Sequence, residues 1–167
     1  MNIFVLDTDI EKCAEFHCDQ HVVKMTLESV QILCSALSKK NFETPYRPTH
    51  QKHPCVLWAE ESYDNFEWLS KLAYALNDEY RYRYRRSHDH KSIDALRSVS
   101  DMEYERKGLT PFAQAMPEQY RVPGYPVKAY RRFYLGEKMG FAKWTRRGIP
   151  YWVKETSDRG MGLKPDP

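Results

Sequence analysis

The sequence predicts a mainly α protein, a single compact helical domain with a short N-terminal strand. Apolar residues recur at helical spacing in four stretches of the chain. Cap residues and prolines stand where these stretches begin. Only Ile3–Leu6 differs, because it is a short apolar run of β-favouring residues ended by Asp7. Such a run is typical of a buried strand.

Two helices are expected directly after this strand. Thr8 and Glu11 have the spacing of a capping box, which predicts a short helix through about Phe16. Asp19 can cap a second helix that runs to about Ser38. Its core-facing stripe contains Val22, Val23, Thr26, Leu27, Val30, Leu33, Cys34 and Leu37.

The rest of the chain predicts further helices separated by irregular segments. Residues 39–52 are rich in proline and polar residues and should form a loop. Pro54 suits the first turn of a helix, and an apolar stripe from Phe66 to Tyr84 predicts a long core helix. Shorter helices are expected within 87–99 and from Pro126 to about 139. Residues 1–155 are expected to form the single domain, and 156–167, which are rich in Gly and Pro, a flexible tail.

Length and composition exclude several classes of protein. A chain of 167 residues can bury a core without disulfides or metals. The four cysteines form no CxxC pair and no signal peptide precedes them, which favours a reduced, cytoplasmic protein. No apolar run is long enough for a membrane span, so a membrane partner is not expected. The net charge of +3 says little about partners, but its distribution is informative.

The second predicted helix carries the strongest candidate for a catalytic site. His17, His21, Lys24 and Glu28 follow at intervals of four, three and four residues, so a helix through them places all four on one face. Two imidazoles, an amine and a carboxylate can transfer protons or attack an electrophile. The predicted catalytic residues are therefore Asp19, His21, Lys24, Glu28 and His17. A solvated helical face remains the alternative.

The loop before Pro54 contains two further histidines. His50 and His53 could close the predicted pocket or contact a phosphate. Together with Cys55 and the helical histidines they could also hold zinc. No CxxC or HExxH frame supports that option, so no cofactor is expected and zinc stays an open alternative.

A basic, aromatic-rich segment spans 120–154. It contains nine cations, nine aromatic residues and a single acid, Glu137. Cations bind phosphates and aromatic rings stack on bases, so this segment predicts a nucleic-acid surface. The predicted binding residues are Lys128, Arg131, Arg132, Lys143, Trp144 and Arg146, together with His50 and His53. An aromatic core rimmed by cations would give the same pattern. The alternating Tyr/Arg run 80–86 is equally ambiguous, since cations also favour a helix C-terminus.

Several motifs together resemble a known family. They are Met1–Asp7, Cys18–Met25 followed by Leu27 and Glu28, Thr49-His50, His53-Pro54, Trp58–Ser62, Leu109–Pro117, Ala129–Arg131 and Phe141–Trp144. The chain is similar to small proteins of tailed bacterial viruses that are labelled pyrimidine-dimer DNA glycosylase or DNA-modification protein. The resemblance implies a DNA-acting enzyme in the cytoplasm of an infected bacterial host.

The resemblance implies a base-excising or base-modifying enzyme, and the residues can supply its chemistry. Lys24 could be an amine nucleophile, Asp19 or Glu28 the carboxylate, and Trp144 a wedge. Well-described small glycosylases of this kind use a processed N-terminal amine. Asn2 is too large for efficient removal of Met1, which argues against that nucleophile here. The alternatives are a non-enzymatic nucleic-acid-binding or host-modulating protein, and an enzyme acting on free, modified nucleotides.

Overall fold

The computed structural model describes residues 1–158, and the part of the predicted tail at 159–167 lies outside the described residues. The described helices follow in the order α1 (Ile10–Phe16), α2 (Asp19–Lys39), α3 (Pro54–Glu61), α4 (Tyr63–Tyr84), α5 (Ser92–Arg97), α6 (Pro126–Glu137) and α7 (Tyr151–Asp158). A 3₁₀ turn at Glu118–Tyr120 precedes α6. The prediction of a mainly α fold is confirmed.

The prediction of an N-terminal strand is wrong, since residues 1–158 contain no strand and no sheet. Ile3–Leu6 is fully buried, but side chains rather than a neighbouring strand satisfy its backbone. Asn2 Oδ1 accepts the amide of Ile3 at 2.8 Å, and Arg131 Nε donates to the carbonyl of Leu6 at 2.9 Å. A short apolar run cannot distinguish a buried strand from another buried extended segment.

The first two helices begin at a different kind of cap from the one predicted. Asp9, not Thr8, is the N-cap of α1, and its carboxylate accepts the amide of Lys12. Helix α2 starts at Asp19 and ends one residue beyond the predicted Ser38. Its N-cap residue is Cys18, which makes no side-chain cap bond. Asp19 therefore occupies the first turn of α2, where a carboxylate is favourable to the helix dipole.

Helix α2 lies at the centre of the molecule and packs against α3 and α4. Leu33 and Leu37 of α2 and Leu69, Leu72 and Leu76 of α4 are completely buried. Helix α6 adds the buried rings of residues 130 and 134, which contact the ring of residue 4 in the N-terminal segment. The N-terminal segment therefore lies between α2 and α6. None of the helices in the described part of the chain combines the length and hydropathy that a membrane span needs.

Candidate active site

The carboxylate of Glu28 lies between two amino groups near the middle of α2. The amino group of Met1 is 3.8 Å from Glu28 Oε2, and Lys24 Nζ is 3.7 Å from Oε1. The amide of Asn2 also donates to Oε2, at 3.1 Å. The Glu28 side chain is 13% exposed and that of Lys24 is 64% exposed. The site therefore opens to solvent on the Lys24 side.

The buried N-terminal segment holds the Met1 amine in this place. Asn2 Nδ2 donates to the carbonyl of Ala115 at 2.7 Å, and residues 3–6 are buried in the core. The amide of Ala115 in turn donates to the hydroxyl of Tyr130 on α6. The amine is thus anchored by contacts with segments more than 100 residues away in sequence.

The loop histidines lie on the same side of the molecule. His53 Nδ1 accepts the amide of Cys55 at 3.2 Å as the N-cap of α3, so the proton of the neutral ring is on Nε2. Burial lowers the pKa of His53, and repulsion by the Met1 amine and by His50 lowers it further, whereas the charge of Glu28 raises it. His50 is exposed, with φ of 49° and its Nδ1 2.7 Å from the hydroxyl of Thr49.

The two histidines of the predicted helical face are buried instead of lining a pocket. His17 Nδ1 donates to the carbonyl of Cys13 at 2.7 Å, and burial lowers its pKa to about 4. His21 stacks on Phe4 at 4.6 Å between ring centroids, and its Nδ1 is 2.7 Å from the hydroxyl of Tyr134. Burial and, to a smaller extent, nearby positive charges together lower the pKa of His21 to about 3. Both imidazoles are therefore neutral near pH 7.

Asp19, the first residue of α2, is held by hydrogen bonds from Arg83 and Thr145. Its Oδ1 accepts from Arg83 at 3.2 Å and from the amide of Thr145 at 2.9 Å, and its Oδ2 accepts the Thr145 hydroxyl at 2.6 Å. At 1.5 Å per residue, Asp19 lies roughly 13 Å along the helix axis from Glu28. The structure brings Lys24 and Glu28 together but leaves Asp19 apart from them.

The predicted DNA-contacting residues fall into two groups. Arg131 pairs with Asp7 at 3.1 Å, Trp144 is buried with its indole N–H donated to the carbonyl of Phe16, and Arg146 lies 4.2 Å over the ring of Tyr82. Arg132 is half-buried and donates to a backbone carbonyl. Lys128 and Lys143 are exposed, and within residues 1–158 their side chains have neither an ion pair nor an aromatic ring beneath them.

Three groups near the site were missed from the sequence. Lys138 and Phe141 follow the end of α6, and both lie close to His21. The sequence shows that both residues belong to the basic segment, but their contact with α2 depends on tertiary packing. The third is the Met1 amine: the size of Asn2 argued against a processed N-terminal nucleophile, and no local sequence signal places the unprocessed amine beside Glu28.

A metal site is not apparent in the part of the chain that the structure describes. Across residues 1–158 there is no group of three or more His, Cys, Asp or Glu side chains that could hold a metal ion. His17 and His21 have ring centroids 6.5 Å apart, with the ring of Phe4 in contact with both.

The family model for pyrimidine dimer DNA glycosylases matches residues 1–92, which is more than half of the chain. The chain belongs to the pyrimidine dimer DNA glycosylase family. The resemblance found in the sequence is thus confirmed at the level of the family. The matched residues include Lys24, Glu28 and both loop histidines of this family member, whereas the basic segment 120–154 lies outside them. Comparison with curated proteins and with solved structures finds no match.

Proposed function

We propose that the protein is a DNA glycosylase that excises pyrimidine dimers, with Glu28 as its catalytic carboxylate and an amine beside it as nucleophile. The observation that carries this proposal is the contact of one largely shielded carboxylate with two amino groups. An amine paired with a carboxylate is the set that base excision through a Schiff base needs.

The chemistry follows from these two kinds of group. A neutral amine attacks C1′ of the damaged nucleotide and forms a C1′–N bond. The bond from C1′ to the base breaks, and the base leaves with the electron pair and takes up a proton. The carboxylate of Glu28 stabilises the positive charge that develops on the sugar and accepts a proton from the attacking nitrogen. Ring opening then gives the Schiff base, which water hydrolyses.

Two amines compete for the role of nucleophile. The Met1 amine is fixed beside Glu28 by the buried segment that follows it. Lys24 is exposed and can swing towards a bound sugar. Peptide mapping of a trapped complex identifies the one that reacts.

The other predicted catalytic residues support this site from a distance. His17 and His21 are buried and neutral near pH 7, and they pack the end of α1 and the start of α2 against Phe4 of the N-terminal segment. Asp19 joins the start of α2 to residue 145 and to α4. His50 and His53 stand on the Glu28 side and are placed to contact the phosphates around the damaged base.

Three lysines form a path for the DNA backbone along α2, which we call the basic strip (Lys24, Lys138, Lys143). Lys24 and Lys138 both lie close enough to His21 to lower its pKa, and the carbonyl of Lys143 accepts the amide of Asp19 at 2.8 Å. The strip covers roughly 8 Å of helix between Asp19, which is bonded to Lys143, and Lys24. That length corresponds to about two phosphates of one strand.

The first test replaces the carboxylate. Glu28→Gln should reduce cleavage of the glycosidic bond at the dimer in a UV-irradiated duplex by roughly 10²- to 10⁴-fold, because it removes the charge that assists bond cleavage. Glu67→Gln is a matched control, since Glu67 also pairs with a lysine four residues away on a helix. Equal activity of wild type and Glu28→Gln would contradict the proposal.

The second test identifies the nucleophile. Borohydride added during turnover should reduce the Schiff base and link protein and DNA covalently, and mass spectrometry of the digest should place the link on Met1 or Lys24. Lys24→Gln abolishes trapping only if Lys24 reacts. Binding of damaged duplex without base release or trapping would favour the non-enzymatic alternative. Cleavage of a free dimer dinucleotide but not of the duplex would favour the free-nucleotide alternative.

A further inference from the structure

Phe141 presents an exposed aromatic ring within the basic strip. Its residue is 36% exposed, and it stands between Lys138 and Lys143 in sequence. Neither lysine forms an ion pair within residues 1–158, and the ammonium group of Lys138 lies 4.7 Å over the ring of Phe133. An apolar ring between two unpaired cations offers what a nucleotide requires, because one group takes the base and the others take phosphates.

The ring of Phe141 rests on a rigid support. Its centroid is 5.7 Å from that of His21, which itself stacks on Phe4 and contacts the hydroxyl of Tyr134. The turn that carries Phe141 is closed by bonds from residues 141 and 142 to the carbonyl of Lys138, at 3.2 Å and 3.0 Å. A ring that is already held in place loses little conformational freedom when it binds.

The other aromatic residues of the basic segment are less suited to this role. Trp144 and Trp152 are buried, and Tyr151 packs with Phe16 and lies near Arg131. Tyr125 is more exposed than Phe141, but it has no ring contact in the described structure and does not adjoin the strip.

We propose that Phe141 stacks on a base of the bound DNA and so fixes the register of the strand that crosses the basic strip. This inference rests on the proposed function, since it takes damaged DNA as the ligand. It assigns the stacking role to Phe141 instead of Trp144, and it places that role on the part of the chain beyond the family match.

The test uses a duplex with a tetrahydrofuran abasic-site analogue, which binds but cannot release a base. The fluorescent base 2-aminopurine is placed in turn at each position flanking the analogue on both strands. Stacking on Phe141 should quench one of these probes in the wild-type complex. Phe141→Leu should remove that quenching and weaken binding by roughly ten- to a hundredfold, without changing the dependence of affinity on salt. Phe141→Trp should keep both the quenching and the wild-type affinity.

Tyr74→Leu provides a matched control, because Tyr74 is a ring of equal exposure, 36%, on the acidic side of the molecule. It should bind and quench like the wild type. Unchanged affinity and quenching in Phe141→Leu would overturn the inference, as would loss of quenching in Tyr125→Leu alone. The proposed function and the stacking role of Phe141 can be disproved independently of each other. Full activity of Glu28→Gln leaves the stacking result standing, and a normal Phe141→Leu leaves the trapping result standing.

Discussion

Two buried histidines set the acid sensitivity of this fold. His17 has no exposed surface, and its Nε2 has no hydrogen-bond partner, so a second proton on the ring would be an uncompensated buried charge. His21 lies in contact with Phe4 and Tyr134, and the positive charges of Lys24 and Lys138 oppose its protonation. Both imidazole rings are therefore neutral in the folded protein.

Stability should therefore fall in mild acid. The folded pKa values of His17 and His21, about 4 and about 3, lie below the ordinary value of 6.5. The unfolded chain thus binds more protons between these limits, and the free energy of unfolding decreases as pH falls below 6.5. Each histidine contributes up to about 1.4 kcal/mol per pH unit, and the unfolded rings are half protonated at pH 6.5, so the change from pH 6.5 to pH 5 is about 3 kcal/mol. Urea unfolding at several pH values measures it.

A substitution that keeps the donor separates this effect from other acid effects. His17→Asn retains an N–H for the carbonyl of Cys13 but does not titrate, so the pH slope should be about half that of the wild type. His88→Asn changes an exposed histidine and should leave the slope unaltered. A wild-type stability that is constant from pH 6.5 to pH 5 would contradict the assignment.

The spacing predicted the helix correctly for residues 21, 24 and 28, but His17 lies outside α2 as the C-cap of α1, and the burial of both histidines was not predicted. Residues 17, 21, 24 and 28 share a face by periodicity, and a face with this composition suggests exposure to solvent. The histidines are covered by Phe4 and by Tyr134, which is more than 110 residues away from His21 in sequence. A local pattern contains no information about such a cover.

Arg83, in the last turn of α4, joins the helices that surround the site. It donates to the carbonyls of Glu15 and His17 at 2.8 Å and 2.7 Å, and it pairs with Asp19 and Glu79. The side chain is completely buried. The guanidinium of Arg83 thus joins the end of α1 and the start of α2 to the end of α4. The planar fork of arginine suits this set of acceptors, which a lysine could not match.

Arg83→Met should be strongly destabilising. It leaves the carboxylate of Glu79, which is also buried, with Arg147 alone, and it removes one of the two residues that hold Asp19. Loss of one partner of a buried ion pair costs about 3–5 kcal/mol, which lowers Tm by roughly 6–20 °C in a domain of this size. Differential scanning calorimetry gives the change.

Arg81→Met, two residues earlier, is the control. Arg81 is exposed and pairs with Asp89 at 3.6 Å, so the substitution should cost less than about 1 kcal/mol. Similar small effects of both variants would show that Arg83 does not join the helices.

The alternating run 80–86 illustrates why function could not be assigned to α4 from sequence. Arg83 is buried, and Tyr82 lies between the guanidinium groups of Arg146 and Arg147. Tyr84 donates to the carbonyl of Asp19 at 2.9 Å. The helix and its apolar stripe were predictable from periodicity, but the same Tyr/Arg pattern fits a binding surface and a set of tertiary contacts equally well.

Charge is distributed unevenly over the whole molecule. A cavity of about 490 Å³ between α1 and α4 is lined by four acidic residues (Glu11, Glu15, Asp78, Glu79) and only two basic ones. Near the N-terminal half of α2, the lysines of the basic strip form no ion pair within residues 1–158 apart from that of Lys24 with Glu28. A net charge of +3 conceals this difference. DNA should approach the strip, because the acidic side repels phosphates.

The sequence predicted the basic segment but not which of its cations are available. From the sequence alone, Arg131 and Arg146 were predicted as phosphate ligands in the same way as Lys143. Arg131 is engaged by Asp7 and the carbonyl of Leu6, and Arg146 by Tyr82. Their partners come from the N-terminal segment and α4, so only the tertiary structure separates structural cations from candidate ligands.

Salt dependence of DNA binding distinguishes these two groups of cations. Lys138→Gln and Lys143→Gln should each weaken binding and reduce the slope of log K against log salt by about 0.9 on duplex DNA, because each removes one phosphate contact. Arg131→Gln should leave the slope unchanged and lower Tm, since its guanidinium binds Asp7 and Leu6. Lys71→Gln, beside the acidic cavity, is the charge-matched control and should alter neither the slope nor the affinity. A lower slope for Arg131→Gln with normal slopes for both strip variants would place the DNA on another face of the protein.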